Sequence, residues 1–288
     1  MTSLTADSFA KLLDSAINTP GTISRAYQAF YGYSIGNQLL AMAQCEQRQI
    51  QIGPIASFMS WKDKGRHVRK GEKALVLCMP VTCKARKAEE TDDDATFTRF
   101  VYRPNWFTLA QTDGENIPLM IVPDWDAVTA LRVLDIAEVP FEHLDGNCQG
   151  YAIGRTIAVS PVAEMPHKTR FHELAHVVLG HTAEVATLSD NERTPRTIRE
   201  VEAEAVAMVC GEALGLPGSS ESRGYIQHWN QSGESIPERS AQRIFKAADT
   251  ILKAGVVDQI EAIATEVDRD ITTEPILKAG RNDAKETR

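Results

Sequence analysis

The sequence contains no apolar run approaching about 18 residues, so no transmembrane helix is expected. Its start, Met1-Thr2-Ser3-Leu4-Thr5-Ala6-Asp7, has neither a basic n-region nor an apolar h-region, and no secretory leader is expected either. Cysteine is scarce: five residues, at 45, 78, 83, 148 and 210, odd in number and without a CxxC pair. That pattern argues against a cysteine-built zinc site and for reduced thiols, mostly in core positions, of a cytoplasmic protein. Positive charge is not in excess. The formal net charge of −8 argues against a uniformly basic nucleic-acid binder. What is present, 43% hydrophobic and 24% charged residues over 288 positions, fits a soluble globular chain with room for one large domain or two.

The basic residues are unevenly spread. Between Trp61 and Lys73 lie Lys62, Lys64, Arg66, Arg69, Lys70 and Lys73, with His67 and only two acids. Acidic runs from Glu89 to Asp94 and from Glu261 to Asp270 hide this cluster in the total. A glycine-punctuated basic loop beside a sheet can hold phosphates by charge and by backbone N–H groups. Nearby aromatics, including Tyr27, Phe30, Tyr31, Tyr33, Phe58, Trp61 and Trp106, can stack unpaired bases. Arg66, Arg69, Lys70 and Lys73 are the candidate phosphate contacts, followed by Trp61 and Tyr31 as stacking platforms. The competing reading is ordinary: core aromatics and a solvated basic loop.

The strongest chemical signal is His172-Glu173-Leu174-Ala175-His176. Two histidines four apart share one face of a helix, roughly 6 Å apart along its axis. Both imidazoles then reach one metal ion, Zn²⁺ first among candidates and another divalent ion such as Mn²⁺ second. Glu173 follows the first histidine and is placed to take a proton from water at the open metal position. Leu174, Ala175, Val177, Val178 and Leu179 give the helix an apolar side, Pro166 suits its start and Gly180 its end.

A third protein ligand is expected from the helical stretch 199–212. There Glu200 and Glu204 are four apart on one face and Glu202 points elsewhere. Glu200 is favoured as the ligand and Glu204 as the residue orienting a ligand histidine, with the reverse as the alternative. His181, past Gly180, reads as a surface residue, with a metal ligand as the second possibility; Tyr225 and His228 read as packing residues, with oxyanion stabilisation as the second possibility.

Periodicity predicts further helices over 6–17, 38–47, 55–64, 125–136 and 237–254, with Asn37 capping the second. Strands are predicted over 74–81, 97–102, 106–110, 141–143 and 149–160, with a turn at Pro104-Asn105 and a bend at Gly154-Arg155. Helices followed by an antiparallel sheet give an α+β class. The Pro-rich segment 113–123 is the expected boundary between domains 1–120 and 121–288, the second ending in a loose polar tail.

Two sets of motifs carry a family resemblance. HELAH followed by Glu200-Val201-Glu202-Ala203-Glu204 resembles gluzincin-type metallopeptidase domains. Tyr33-Ser34-Ile35-Gly36-Asn37-Gln38-Leu39-Leu40, Phe58-Met59-Ser60-Trp61 and Val68-Arg69-Lys70-Gly71-Glu72-Lys73 resemble the N-terminal domain of ArdC-type antirestriction proteins, shared with plasmid TraC primases. The resemblance covers about residues 5 to 250 and implies a single-stranded DNA-binding domain joined to a zincin-like metallopeptidase domain, carried on conjugative plasmids. It implies single-stranded DNA as partner, with a host restriction enzyme or a protein substrate as further candidates. Whether such a site still hydrolyses peptides is open from sequence.

Overall fold

The computed structural model describes residues 8–84, 96–118, 120–142, 148–182, 195–231 and 235–257. Three helices open the chain: α1 Phe9–Asn18, α2 Thr22–Ala29 and α3 Ile35–Arg48. A three-stranded antiparallel sheet follows in the order β1-β4-β3, from β1 Ile55–Ser57, β3 Leu75–Lys84 and β4 Thr96–Thr108. Helix α4, Phe58–Asp63, leaves β1 directly. The basic turn is framed by a two-stranded ribbon of β2 Arg66–Val68 and β5 Thr112–Gly114, the latter entered through a 3-10 turn at Leu109–Gln111.

The second half runs α5 Ala127–Leu134, β6 Ala137–Glu138, β7 Gly150–Ile153, β8 Thr156–Val159, α6 Pro166–Val178, α7 Arg196–Ala213, α8 Ser219–Gln231 and α9 Glu238–Ala254. Its sheet has the order β6-β8-β7, with β7 antiparallel and β6 parallel to β8. Helices with mostly antiparallel sheets make the chain α+β, as its sequence indicated. Among the described residues, no helix is long and apolar enough to cross a membrane.

Several local expectations need correction. Residues 55–57 are strand, because they pair with Trp106–Thr108; the helix begins only at Phe58, where Ser57 Oγ caps it by accepting from the Ser60 N–H. Pro104 makes no turn: β4 runs through it. The register slips there, Leu75 facing Trp106 and Val76 facing Pro104, so Asn105 is the extra residue of a bulge that tolerates a proline without an N–H. Phe141 and Glu142 lie outside any strand, and the short pairing with β8 is made instead by Ala137 and Glu138. Helices α2 and α8 carry no strong sequence signal. The tail and most of the 182–196 linker lie outside the described residues.

Asn37 is not the cap of α3, which starts two residues earlier; it faces β3. Its amide accepts from Cys78 N–H at 2.8 Å and donates to Cys78 C=O at 2.9 Å. Seven residues on, Gln44 does the same for Val76, at 2.9 and 2.8 Å. Two side-chain amides thus satisfy the outer edge of β3 as a neighbouring strand would.

One apolar cluster runs from Leu12 to Leu252, joining α1–α3, the β3–β4 sheet and α6, α7 and α9. The amphipathic face predicted for α9 is its spine: Ala241, Ile244, Phe245, Ala248, Ile251 and Leu252 are all buried. Trp125 packs on Phe171 at 4.9 Å and donates to the Ile251 carbonyl, anchoring α5 to α6 and α9. Gly255 makes this possible, since a Cβ there would lie 2.1 Å from the Trp125 ring nitrogen.

Candidate metal centre and basic turn

Helix α6 lies between the β7–β8 sheet and α7, presenting His172 and His176 toward the start of α7. The Nε2 atoms of the two histidines are 3.1 Å apart, and each is 3.6 Å from Glu200 Oε2. Among the described residues, His172, His176 and Glu200 form the group whose ligand atoms converge. A tetrahedral ion with bonds of about 2.0–2.1 Å sets its donors about 3.3–3.4 Å apart. An octahedral one sets adjacent donors about 2.9–3.0 Å apart. The short side of the triangle, 3.1 Å, falls between these values and its two long sides, 3.6 Å, lie slightly above the tetrahedral one, so its size and its N, N, O chemistry suit a single divalent ion after a small inward shift of Glu200.

Each histidine is held from behind. His172 Nδ1 is 3.0 Å from Glu204 Oε2, and the other oxygen of Glu204 pairs with Lys168 Nζ at 2.7 Å. His176 Nδ1 is 3.1 Å from His181 Nδ1, and His181 Nε2 is 2.9 Å from Glu202 Oε2. Arg243 from α9 lies 3.2 Å from Glu202 and donates to the Leu179 carbonyl. The expected surface position of His181 is therefore corrected: its side chain is only 3% exposed, because the chain turns back under α6 after Gly180. The sequence offers no signal for Lys168 or Arg243 in this role; His181, weighed there as a surface residue or a ligand, instead stands behind His176.

The electrostatics suit this arrangement. Burial disfavours a charged His172, yet hydrogen bonds to Glu200 and Glu204 outweigh it and raise the imidazole to about 9. Glu200 is driven well below the usual carboxylate range by hydrogen bonds to His172 and His176. Burial works against Glu204 as a carboxylate, but its hydrogen bonds to His172 and Lys168 bring it down to about 2. Burial lowers His181.

Glu173 differs from its neighbours. It is 7% exposed, and desolvation raises its carboxyl above the ordinary value despite both histidines. It lies against edge strand β7 at Gly150, where an added Cβ would sit 3.0 Å from Glu173 Oε1 and 2.6 Å from Thr169. Gly150 thereby allows the strand to pass close to α6. Tyr225, on α8, is exposed and near enough to Glu200 and Glu204 for their charge to raise its phenol, after desolvation. His228 is exposed on the same helix.

The basic turn divides into structural and free cations. Arg66 is spent on the ribbon, donating to Thr112 Oγ1 at 2.8 Å and to the carbonyls of Thr112, Gly114 and Glu115. Arg69 donates to Glu72 and to the Ala110 carbonyl, and it lies 3.6 Å from Asp113. Lys62, Lys64, Lys70 and Lys73 are exposed. Trp61 is 1% exposed, with its indole N–H on the Phe107 carbonyl, so its ring has no open face for a base. Tyr31 is half-buried and packs edge-on against Tyr27 at 5.5 Å. Among the described residues of the N-terminal region, the exposed aromatics are Phe58, Phe100 and Tyr102.

With this geometry in view, the class of protein follows from comparison. Residues 15–113 match the model of the N-terminal domain of anti-restriction factor ArdC. The fold as a whole matches crystal structures of the antirestriction ArdC protein from the R388 plasmid. The metal-free form superposes with TM-score 0.50 at 20% identity over 86% of this chain and 95% of that one. The Mn(II)-bound form gives 0.51 at 19% identity over 88% and 100%. At this identity the matches establish a shared fold. No curated protein sequence matches the chain. Residues 15–113 thus correspond to an ArdC N-terminal domain, and over 86–88% of its length the chain shares the fold of the R388 ArdC protein.

Proposed function

We propose that this protein protects incoming plasmid DNA from host restriction in the cytoplasm by binding it as single strands, and that it holds one divalent ion at His172, His176 and Glu200. The match of residues 15–113 to an antirestriction domain carries the first part. The donor triangle carries the second, and the Mn(II) form of the R388 protein supports it. In this reading residues 1–120 supply the DNA surface and 121–288 the metal centre, for which Zn²⁺ and Mn²⁺ are both suited.

The DNA surface centres on the exposed lysines. Lys70 and Lys73 meet phosphates, with Arg69 adding charge while it braces the turn. Phe58 and Lys62, four apart on α4, offer a ring and a cation side by side, with Phe58 49% exposed. Charge plus stacking predicts little preference for sequence. Replacing Lys70 and Lys73 with Ala should weaken single-stranded DNA binding similarly for all sequences and flatten the log–log salt dependence by about 0.7 per lost contact. Titration at several salt concentrations, with a restriction assay on transferred plasmid, tests this. Unchanged affinity and slope would remove the basic turn from the interface.

A second reading, a metallopeptidase acting on a regulatory protein or a restriction enzyme, is favoured by one observation: the buried Glu173 beside the donor triangle. When bound, the ion supplies Lewis-acid activation of water and of a carbonyl oxygen. Glu173 then accepts the proton from water and returns it to the leaving amine, its raised pKa suiting both steps. Glu173→Gln separates the two readings. Loss of protection with intact DNA affinity would make proteolysis the mechanism; intact protection would make the hydrolytic chemistry dispensable.

A further inference from the structure

Building on the metal site proposed above, we propose that His176 is aimed at the ion by an arm of three residues, His181, Glu202 and Arg243, one imidazole longer than the direct Glu204 arm behind His172.

The argument begins with the end of α6. Gly180 takes the left-handed conformation, φ +75°, its N–H bonds to the Val177 carbonyl, and the His181 N–H reaches back to the His176 carbonyl at 2.8 Å. This is a Schellman turn, which carries the residue after the glycine back beneath the residue five before it. His181 is thereby brought under His176, and its backbone carbonyl accepts from Arg199 at 3.2 Å.

Proton positions then follow. His176 Nε2 belongs to the donor triangle, and a ligand nitrogen needs its lone pair, so the His176 proton is on Nδ1. That N–H donates across 3.1 Å to His181 Nδ1, which must be unprotonated. The His181 proton is then on Nε2 and donates across 2.9 Å to Glu202. Glu202 is 1% exposed and is fixed in turn by Arg243. A buried carboxylate, compensated by a cation, thus polarises His176 through His181. This fixes the ligand tautomer and strengthens its lone pair, as the groups behind metal-bound histidines generally do. It also gives Glu202, which faces away from the ion, a defined task.

The test compares wild type with His181→Leu, His181→Gln and Glu202→Gln. It uses Zn(II) affinity by chelator competition, the visible spectrum of the Co(II)-substituted protein, and melting of the metal-free forms. Leu removes the acceptor for the His176 N–H, and affinity should fall about 10–100-fold with a changed Co(II) spectrum. Gln keeps an acceptor oxygen and should restore most of the affinity. Glu202→Gln keeps the shape, removes the charge and should weaken binding in the same direction. Wild-type affinity and spectrum in His181→Leu would overturn the arm while leaving the metal site standing. Absence of Zn(II) binding by wild type would instead overturn the metal site itself. Should His181→Leu not fold, Glu202→Gln decides, and affinity equal to wild type then overturns the proposal.

Discussion

At the residue scale, the spacing of His172, Glu173 and His176 was enough to place two imidazoles on one face and a carboxylate about 100° round the helix from the first, since a helix of 3.6 residues per turn permits little else. The structure places Glu200 Oε2 3.6 Å from both imidazoles and Glu204 behind His172 at 3.0 Å, the positions that the proposed ligand and orienting roles require. What stayed hidden depended on the turn at Gly180 and on α9, which deliver His181 and Arg243 from outside the motif. Two predictions belong here. Glu173→Gln should lower any peptidase rate by about 10²–10⁴-fold while metal content holds; an unaltered rate would rule it out as the base. His172 makes the metal-free fold pH-sensitive. Its pKa is raised from 6.5 to about 9, so the stability it contributes is complete below pH 6.5 and is lost as pH rises through about 9. Melting of chelator-treated protein should therefore show a fall over that range that is absent in His172→Asn; identical profiles would contradict the assignment.

At the scale of elements, amphipathic helices and the apolar strand β3 were legible because their faces repeat with a clear period. The errors lie where tertiary pairing overrides local pattern. Ile55–Ser57 looks helical with α4 but is recruited by β4, and Pro104 looks like a turn but sits in a bulge. The edge cover of β3 was illegible because Asn37 and Gln44 act on residues 41 and 32 positions away. Gln44→Ala should expose two backbone groups of Val76 and cost about 1–3 kcal/mol, measured by urea unfolding. The freed edge should also raise aggregation. Unchanged stability would show that water replaces the amide without penalty.

At the scale of the whole molecule, the two halves are tied by carboxylates at helix starts. Glu238 accepts from Phe9 and Ala10 N–H at the start of α1, Glu212 from Ile23 N–H near the start of α2, and Asp249 from Ile35 N–H at the start of α3. All three acids come from α7 or α9, and each meets the positive end of a helix dipole. Arg223 closes the pattern by pairing with Glu212 and donating to the Ala16 and Ile17 carbonyls at the end of α1. Separations of about two hundred residues put this beyond any reading of local sequence. The halves should consequently unfold in one transition. Glu212→Ala, which strands a buried guanidinium, should cost about 3–5 kcal/mol by urea denaturation followed through both fluorescence and circular dichroism. Two separate transitions would show the ties to be incidental. The central claim is that α6 and α7 jointly hold one divalent ion, and it is tested most directly by titrating Zn(II) and Mn(II) into metal-free wild type, His172→Ala and Glu200→Ala. The account predicts one ion per chain in wild type, no tight binding in His172→Ala and much weakened binding in Glu200→Ala. Equal stoichiometry and affinity in all three would contradict it.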